Sequence, residues 1–168
     1  MTTNQPTATN VGSVSGEGEA CDLIASVSEA PIDGAVHARP EVDGETESRL
    51  AFTPHAIALI ETLWAMHGPL MFHQSGGCCD GSAPMCYQAG EFRTGDADVL
   101  LGTLELPQLD DGGSTDGAPR EIGFWMSREQ FAVWQHTHLT VDAVPGRGSG
   151  FSLEAPEGQR FLIRSRLL

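Results

Sequence analysis

The sequence contains no lysine, so all nine of its basic residues are arginines, against 23 acidic residues and a formal net charge of −14. Proteins bind nucleic acid mainly by neutralising its phosphates with basic side chains. The arginines are scattered from Arg39 to Arg166 and form no concentrated basic patch in the sequence. We therefore expect no nucleic-acid partner.

Long apolar runs are also lacking. No stretch approaches the roughly 18–20 consecutive apolar residues that a membrane-spanning helix needs. The first residues have neither the basic start nor the apolar run of a secretory signal. We expect a cytoplasmic protein with no membrane partner, in which thiols stay reduced. Clustered cysteines then indicate metal binding or redox chemistry more than a disulfide framework.

Residues 1–48 contain no phenylalanine, tyrosine or tryptophan, and they carry nine acidic residues against one arginine, Arg39. A segment with so little apolar surface and so much charge of one sign cannot bury enough area to fold. We predict a disordered acidic extension over 1–48, followed by one domain over 49–168. Cys21, in the extension, is interpreted as an exposed thiol, with a tethered metal ligand as the alternative.

Capping residues and hydrophobic periodicity predict the elements of the domain. A helix begins at Thr53 and Pro54 and ends at Gly68, and a capping box at Ser127 begins a second, shorter helix. Between and after them the pattern predicts short strands, and an exposed loop. The strands are expected over 70–73, 98–105, 122–126, 139–144 and 160–167, with a strand or turn over 87–92 and an exposed hairpin or loop over 107–119. These elements predict a small α+β domain with a mainly antiparallel sheet and two helices.

Three of the four cysteines, Cys78, Cys79 and Cys86, lie within nine residues of a loop rich in glycine, serine and proline, which follows His73. A loop has no packing reason to collect sulfur, so the cluster indicates a metal or thiol site. Thiolate and imidazole together suit zinc, iron or copper. The cysteine spacing is wider than in zinc fingers, and adjacent cysteines on an extended chain point to opposite sides.

Further candidate ligands lie elsewhere in the chain. His136 and His138 are two residues apart, which would place both rings on one face of a strand if both belong to it. We expect them to complete the metal site with His73 and the cysteines, provided that the two segments meet. Asp96 and Asp98 precede a predicted strand and are interpreted as turn carboxylates, with cation binding as the alternative.

Two other functions use the same region. In a thiol-dependent redox or aldehyde-modifying enzyme, Cys78, Cys79 or Cys86 would be the nucleophile, with a histidine as its base and Asp80 orienting that histidine. In the other alternative the protein is a non-catalytic binding module, and the cluster only stabilises its structure.

Four segments carry a resemblance to a known family: residues 71–82, 92–98, 134–138 and 146–154. Over about residues 51–168 the chain resembles a small bacterial family catalogued as a domain of unknown function, whose members are often encoded beside aldehyde dehydrogenases. The resemblance implies a link with aldehyde or alcohol oxidation. The positions that match its pattern are His73, Cys78, Cys79, Asp80, Cys86, Asp96, His136, His138 and Arg147.

The leading expectation is therefore a cytoplasmic accessory protein of aldehyde or alcohol metabolism that binds one zinc, iron or copper ion. Its candidate metal ligands are Cys78, Cys79, Cys86, His73, His136 and His138. An aldehyde dehydrogenase is the expected partner.

Overall fold

The computed structural model describes residues 32–75, 83–108, 117–148 and 150–168. Its two main helices are α1 (Pro54–His67) and α2 (Arg128–Trp134), and a short 3-10 helix covers Ala155–Glu157. The strands in chain order are β1 (Val36–His37), β2 (Arg39–Pro40), β3 (Leu50–Phe52), β4 (Leu70–Gln74), β5 (Met85–Gln88), β6 (Asp98–Leu106), β7 (Arg120–Ser127), β8 (Thr137–Pro145) and β9 (Gln159–Leu167).

The strands form two sheets. Sheet A has the order β1-β3-β8-β9 and sheet B the order β2-β6-β7-β4-β5. All pairings are antiparallel except β3 with β8 and β4 with β7, which are parallel. Each parallel pair joins segments that are far apart in the sequence, so the sheets could not be ordered from local patterns. The fold class is α+β, as predicted, but with two mixed sheets instead of one.

The two sheets pack with their apolar faces together. Phe52 of sheet A contacts Phe72 and Phe124 of sheet B, and Phe161 of sheet A meets Phe72 edge to face with 4.9 Å between ring centroids. All four rings are fully buried. Because side chains alternate along a strand, the neighbours of these core residues point to the two outer faces. Two of the candidate ligands, His73 and His138, lie on these outer faces.

Helix α1 has the ends that the sequence predicts. The Thr53 hydroxyl accepts a hydrogen bond from the Ala56 amide at 3.1 Å, and Pro54 occupies the first turn, where no amide hydrogen is needed. Gly68 ends the helix with φ of 77°, a conformation that favours glycine, and its amide donates to the Trp64 carbonyl. The buried face of α1 packs against the core. Among the described residues, no helix is long and apolar enough to cross a membrane.

The fold begins earlier than the sequence predicts. Residues 32–48 were expected to belong to the disordered extension, but Val36–His37 pairs with β3 in sheet A and Arg39–Pro40 pairs with β6 in sheet B. Ala38, between them, is only 3% exposed. Composition misses such segments because two-residue strands are held by backbone hydrogen bonds and need no apolar run of their own. The rest of the predicted extension, including Cys21, lies outside the described residues.

Candidate functional site

His73 lies on β4, one strand in from the edge of sheet B, on the outer face of the sheet. In the register of β4 and β5, Phe72 is opposite Cys86 and His73 is opposite Met85. Phe72 and Cys86 both point into the core, so His73 points to the other side of the sheet. Its side chain is nevertheless buried, with 4% of the residue exposed.

Both ring nitrogens of His73 have partners. Nε2 lies 2.8 Å from Oδ1 of Asp98, and Nδ1 lies 3.1 Å from the hydroxyl of Ser75. A carboxylate accepts hydrogen bonds, so the Asp98 contact assigns the ring proton to Nε2 when the histidine is neutral. Nδ1 then carries the lone pair and accepts from Ser75. The hydrogen bond from His73 holds the pKa of Asp98 below its usual value.

Asp98 is itself fixed by the backbone around it. Its second carboxylate oxygen accepts from the Gly95 amide at 2.9 Å, and its own amide donates to the Gly95 carbonyl at the same distance. The aspartate begins β6, on the far side of β7 from His73, so its contact with His73 spans a strand. The imidazole is therefore bound to a carboxylate that the backbone of a turn holds in place.

An aromatic side chain, itself packed against a second one, covers this histidine. Phe92 stacks on the His73 ring with 4.0 Å between centroids and 30° between planes, and Tyr87 lies 5.2 Å from Phe92. Tyr87 comes from β5 and Phe92 from the turn that follows β5. Phe92 therefore covers one face of the imidazole, and the low exposure of His73 strengthens its hydrogen bond to Asp98.

Cys86 occupies a different environment. It is fully buried in the core, its amide donates to the Ser152 hydroxyl at 2.8 Å, and its carbonyl accepts from the Leu153 amide at 3.0 Å. The Ser152 hydroxyl donates to the buried carboxyl of Glu154. Burial, and then the nearby Glu154, raise the pKa of the Cys86 thiol far above its ordinary value. An apolar site of this kind favours the neutral thiol over a thiolate ligand or nucleophile.

The two C-terminal histidines, His136 and His138, also lie in different environments. His138 lies in β8 between residues 137 and 139, and Leu139 belongs to the core, so His138 points to the outer face of sheet A. It is 3% exposed, and burial followed by Arg166 and other nearby charges lowers its pKa to about 4. His136 is exposed and precedes β8, and its carbonyl accepts from the Leu168 amide. The i, i+2 relation fails because only one of the pair belongs to the strand.

No two of the four described candidate ligands thus share a face of the fold: His73 lies outside sheet B, Cys86 in the core, His138 outside sheet A and His136 at a strand end. Among the described residues, no group of three or more His, Cys, Asp and Glu side chains is arranged to hold a metal ion. Cys78, Cys79 and Asp80 lie outside the described residues. Asp96 is exposed, and Arg128 binds its carbonyl.

The sequence contained Asp98 and Ser75 but did not indicate their contact with His73. Asp98 was interpreted as a turn carboxylate, and that turn does exist, but its partner comes from 25 residues earlier in the chain. Only the order of strands β6, β7 and β4 brings them together. For Ser75 a local pattern was available, because a hydroxyl two residues after a histidine can reach its ring.

Comparison with known families identifies the segment around this site. The model of a domain of unknown function (DUF779) matches residues 59–167, a range that contains His73, Asp98 and Cys86. Neither the curated proteins nor the solved structures contain a match to the chain. Since the matched segment covers well over half of the sequence, the chain belongs to the DUF779 family.

Proposed function

We propose that the protein binds a zinc, iron or copper ion through Nδ1 of His73 and the thiolate of Cys78 or Cys79. The observation that carries this proposal is the 2.8 Å hydrogen bond between His73 Nε2 and Asp98. A histidine that binds a metal through one nitrogen commonly donates its other N–H to a carboxylate, which fixes the tautomer and makes the imidazole a better ligand. The Ser75 hydroxyl would give way when Nδ1 binds the ion.

The thiolates are assigned from the sequence. Cys78 and Cys79 lie five and six residues after His73, so only a short turn of the chain is needed to bring one of these thiols back to the His73 ring. Cys86, His136 and His138 are left out of this ligand set because they lie on other parts of the fold. The proposed ligand set is thus smaller than the six candidate ligands that the sequence suggested.

The biological role that we propose is that of an accessory protein in aldehyde or alcohol metabolism of the bacterial cytoplasm, with an aldehyde dehydrogenase as its partner. This part rests on the resemblance to a family often encoded beside such enzymes. Co-purification of the untagged chain with an aldehyde dehydrogenase from its own cells would support it. Recovery of the chain without that enzyme, under conditions that preserve other complexes, would count against it.

Metal analysis of untagged full-length protein tests the ligand set. We expect the metal content of the parent to fall by about one equivalent in His73→Gln and in Cys78→Ser/Cys79→Ser. Asp98→Asn should retain the ligands but weaken binding by about 10–100-fold in chelator competition, because it removes the carboxylate partner.

Cys86→Ala is the matched control, since it removes a thiol that lies in the core. It should keep the parent metal content. Equal metal content in the parent and His73→Gln would overturn the proposal, as would a loss of metal confined to Cys86→Ala.

A thiol-dependent enzyme is the second candidate, and the same dyad favours it. A histidine oriented by Asp98 and presenting Nδ1 can act as a base toward a thiol of Cys78 or Cys79. In that case metal-free protein should contain a thiolate that is alkylated rapidly at pH 6 and slowly in His73→Gln. Slow alkylation at pH 6 in the metal-free parent would rule this candidate out.

A further inference from the structure

The outer face of sheet A contains a histidine pair. His138 in β8 and His37 in β1 lie on either side of β3, with 5.6 Å between their ring centroids and 74° between their planes. His138 is 3% exposed, and neither of its ring nitrogens has a hydrogen-bond partner among the described residues. His37 is exposed, so a bound ion can reach the pair from solvent.

An imidazole with both nitrogens buried and unpaired is costly. Leaving a polar group unsatisfied inside a protein costs roughly 1–3 kcal/mol, and such groups generally have a water, an ion or a functional partner. His138 is therefore a position where a bound species would recover stability. At neutral pH it is uncharged, because its pKa is lowered to about 4, so a lone pair is available without prior loss of a proton.

We propose that His37 and His138 form a second metal site, separate from His73, that takes a zinc ion, for which Cu²⁺ serves as a spectroscopic probe. With metal–nitrogen bonds of about 2.0–2.1 Å, each ring centroid would lie about 3.2 Å from a shared ion. Two centroids 5.6 Å apart then subtend about 120° at the ion, close to the tetrahedral value of about 109°. Rotation of the exposed His37 ring brings its nitrogen toward the ion.

The charged side chains near His138 affect which further ligands the bound ion can carry. Arg166 is the direct cross-strand neighbour of His138, and it forms no ion pair with the described residues. Arg49 is also close enough to lower the pKa of His138, but Glu45 neutralises it through an ion pair. The remaining positive charge of Arg166 weakens the attraction for a bare dication. It favours an ion that carries an anionic ligand, such as hydroxide, chloride or a carboxylate, in its open positions.

The test uses full-length, untagged protein in which Cys21, Cys78 and Cys79 are replaced by serine, so that the thiols proposed for the His73 site are absent. Zn²⁺ titration should reveal one equivalent of binding. His37→Ala should weaken that binding by at least about tenfold, because one of two protein ligands is lost. With Cu²⁺, the electron paramagnetic resonance spectrum should show two coordinated imidazole nitrogens in the background protein and one in His37→Ala.

His55→Ala is the matched control, because it removes an exposed histidine from another part of the fold. It should bind Zn²⁺ like the background protein. His138→Gln should behave like His37→Ala, and circular dichroism checks its folding. If it does not fold, His37→Ala alone decides the outcome.

Equal Zn²⁺ affinity in the background protein and His37→Ala would overturn the site. So would the absence of Zn²⁺ binding in the background protein. Neither result changes the loss of metal expected for His73→Gln, so this site and the His73 site, on whose proposal this inference does not rest, fail independently.

Discussion

The carboxyl of Glu154 lies in the interior with 1% of the residue exposed, next to Ser152. Burial raises its pKa, although hydrogen bonds from Ser152 and the backbone partly oppose this effect. The folded state therefore holds the proton to higher pH than the unfolded state does. The contribution of Glu154 to stability should be fully present below about pH 4.5, its ordinary pKa, and should be lost as pH rises through the folded pKa.

Glu154→Gln should remove this loss, because glutamine stays neutral. We expect the variant to become more stable relative to the parent as the pH rises from 4.5 to 8, so that its free energy of unfolding increases relative to that of the parent. Denaturant titrations at both pH values measure the difference. Parallel pH profiles for the two proteins would show that the carboxyl does not titrate differently on folding.

Cys86 should be unreactive as long as the protein is folded. Its thiol is fully buried and its pKa is raised by that burial and by Glu154. In a chain with serine at positions 21, 78 and 79, Cys86 is the remaining thiol. We expect a thiol-specific disulfide reagent to label it only on unfolding, at a rate that rises with denaturant. Rapid labelling of the native chain would contradict the buried position, and Cys86→Ala provides the blank.

At the scale of elements, Thr53 joins helix α1 to sheet A. Its hydroxyl accepts from the Ala56 amide and donates to Oδ1 of Asp142 at 2.6 Å, and the other Asp142 oxygen binds Arg164. Thr53→Ala should lower the free energy of unfolding by about 1–3 kcal/mol, because it removes the cap and leaves a buried carboxylate oxygen with fewer donors. Thr53→Ser retains the hydroxyl and should stay within about 1 kcal/mol of the parent in denaturant titration. Equal losses in both variants would assign the effect to the methyl group.

Gly102 allows β2 to approach β6. A Cβ atom at this position would lie 2.9 Å from the Arg39 carbonyl oxygen and 3.2 Å from the Ala38 side chain, so the backbone would have to move. Gly102→Ala should cost about 1–3 kcal/mol of unfolding free energy by overpacking. Gly95→Ala is the control, since a Cβ there meets open space, and it should melt close to the parent temperature. A Gly102→Ala protein as stable as that control would mean that β2 can move away freely.

At the scale of the whole molecule, the sequence predicted those features that depend on neighbouring residues, namely the helix ends and the positions of most strands. The ends of α1 follow from Thr53, Pro54 and Gly68, and most strands were found where apolar runs or alternation indicated them. The sequence did not predict which strands pair. One step of alternation separates Phe72, in the core, from His73 on the outside, and this step keeps His73 away from Cys86 although both were assigned to one site. Register and strand order depend on long-range packing, which a local pattern does not contain.

The segment of residues 32–48 connects the two sheets. The chain pairs with sheet A at Val36–His37, buries Ala38, and then pairs with sheet B at Arg39–Pro40. A chain that starts at residue 49 loses both pairings and uncovers β3 and β6, which lie next to them. From charge composition alone, we would expect removal of residues 32–48 to leave the stability of the domain unchanged.

Two shortened chains, one starting at residue 32 and one at residue 49, isolate this segment because both lack residues 1–31. We expect the chain starting at residue 49 to melt at least about 5 °C lower, since it loses backbone hydrogen bonds and the buried Ala38. It should also aggregate more readily, because strand edges that were paired become exposed. Thermal melts followed by circular dichroism, with light scattering in parallel, measure both effects. Equal melting temperatures would mean that each sheet is stable without its edge strand, and that the domain begins at residue 49 as its composition suggested.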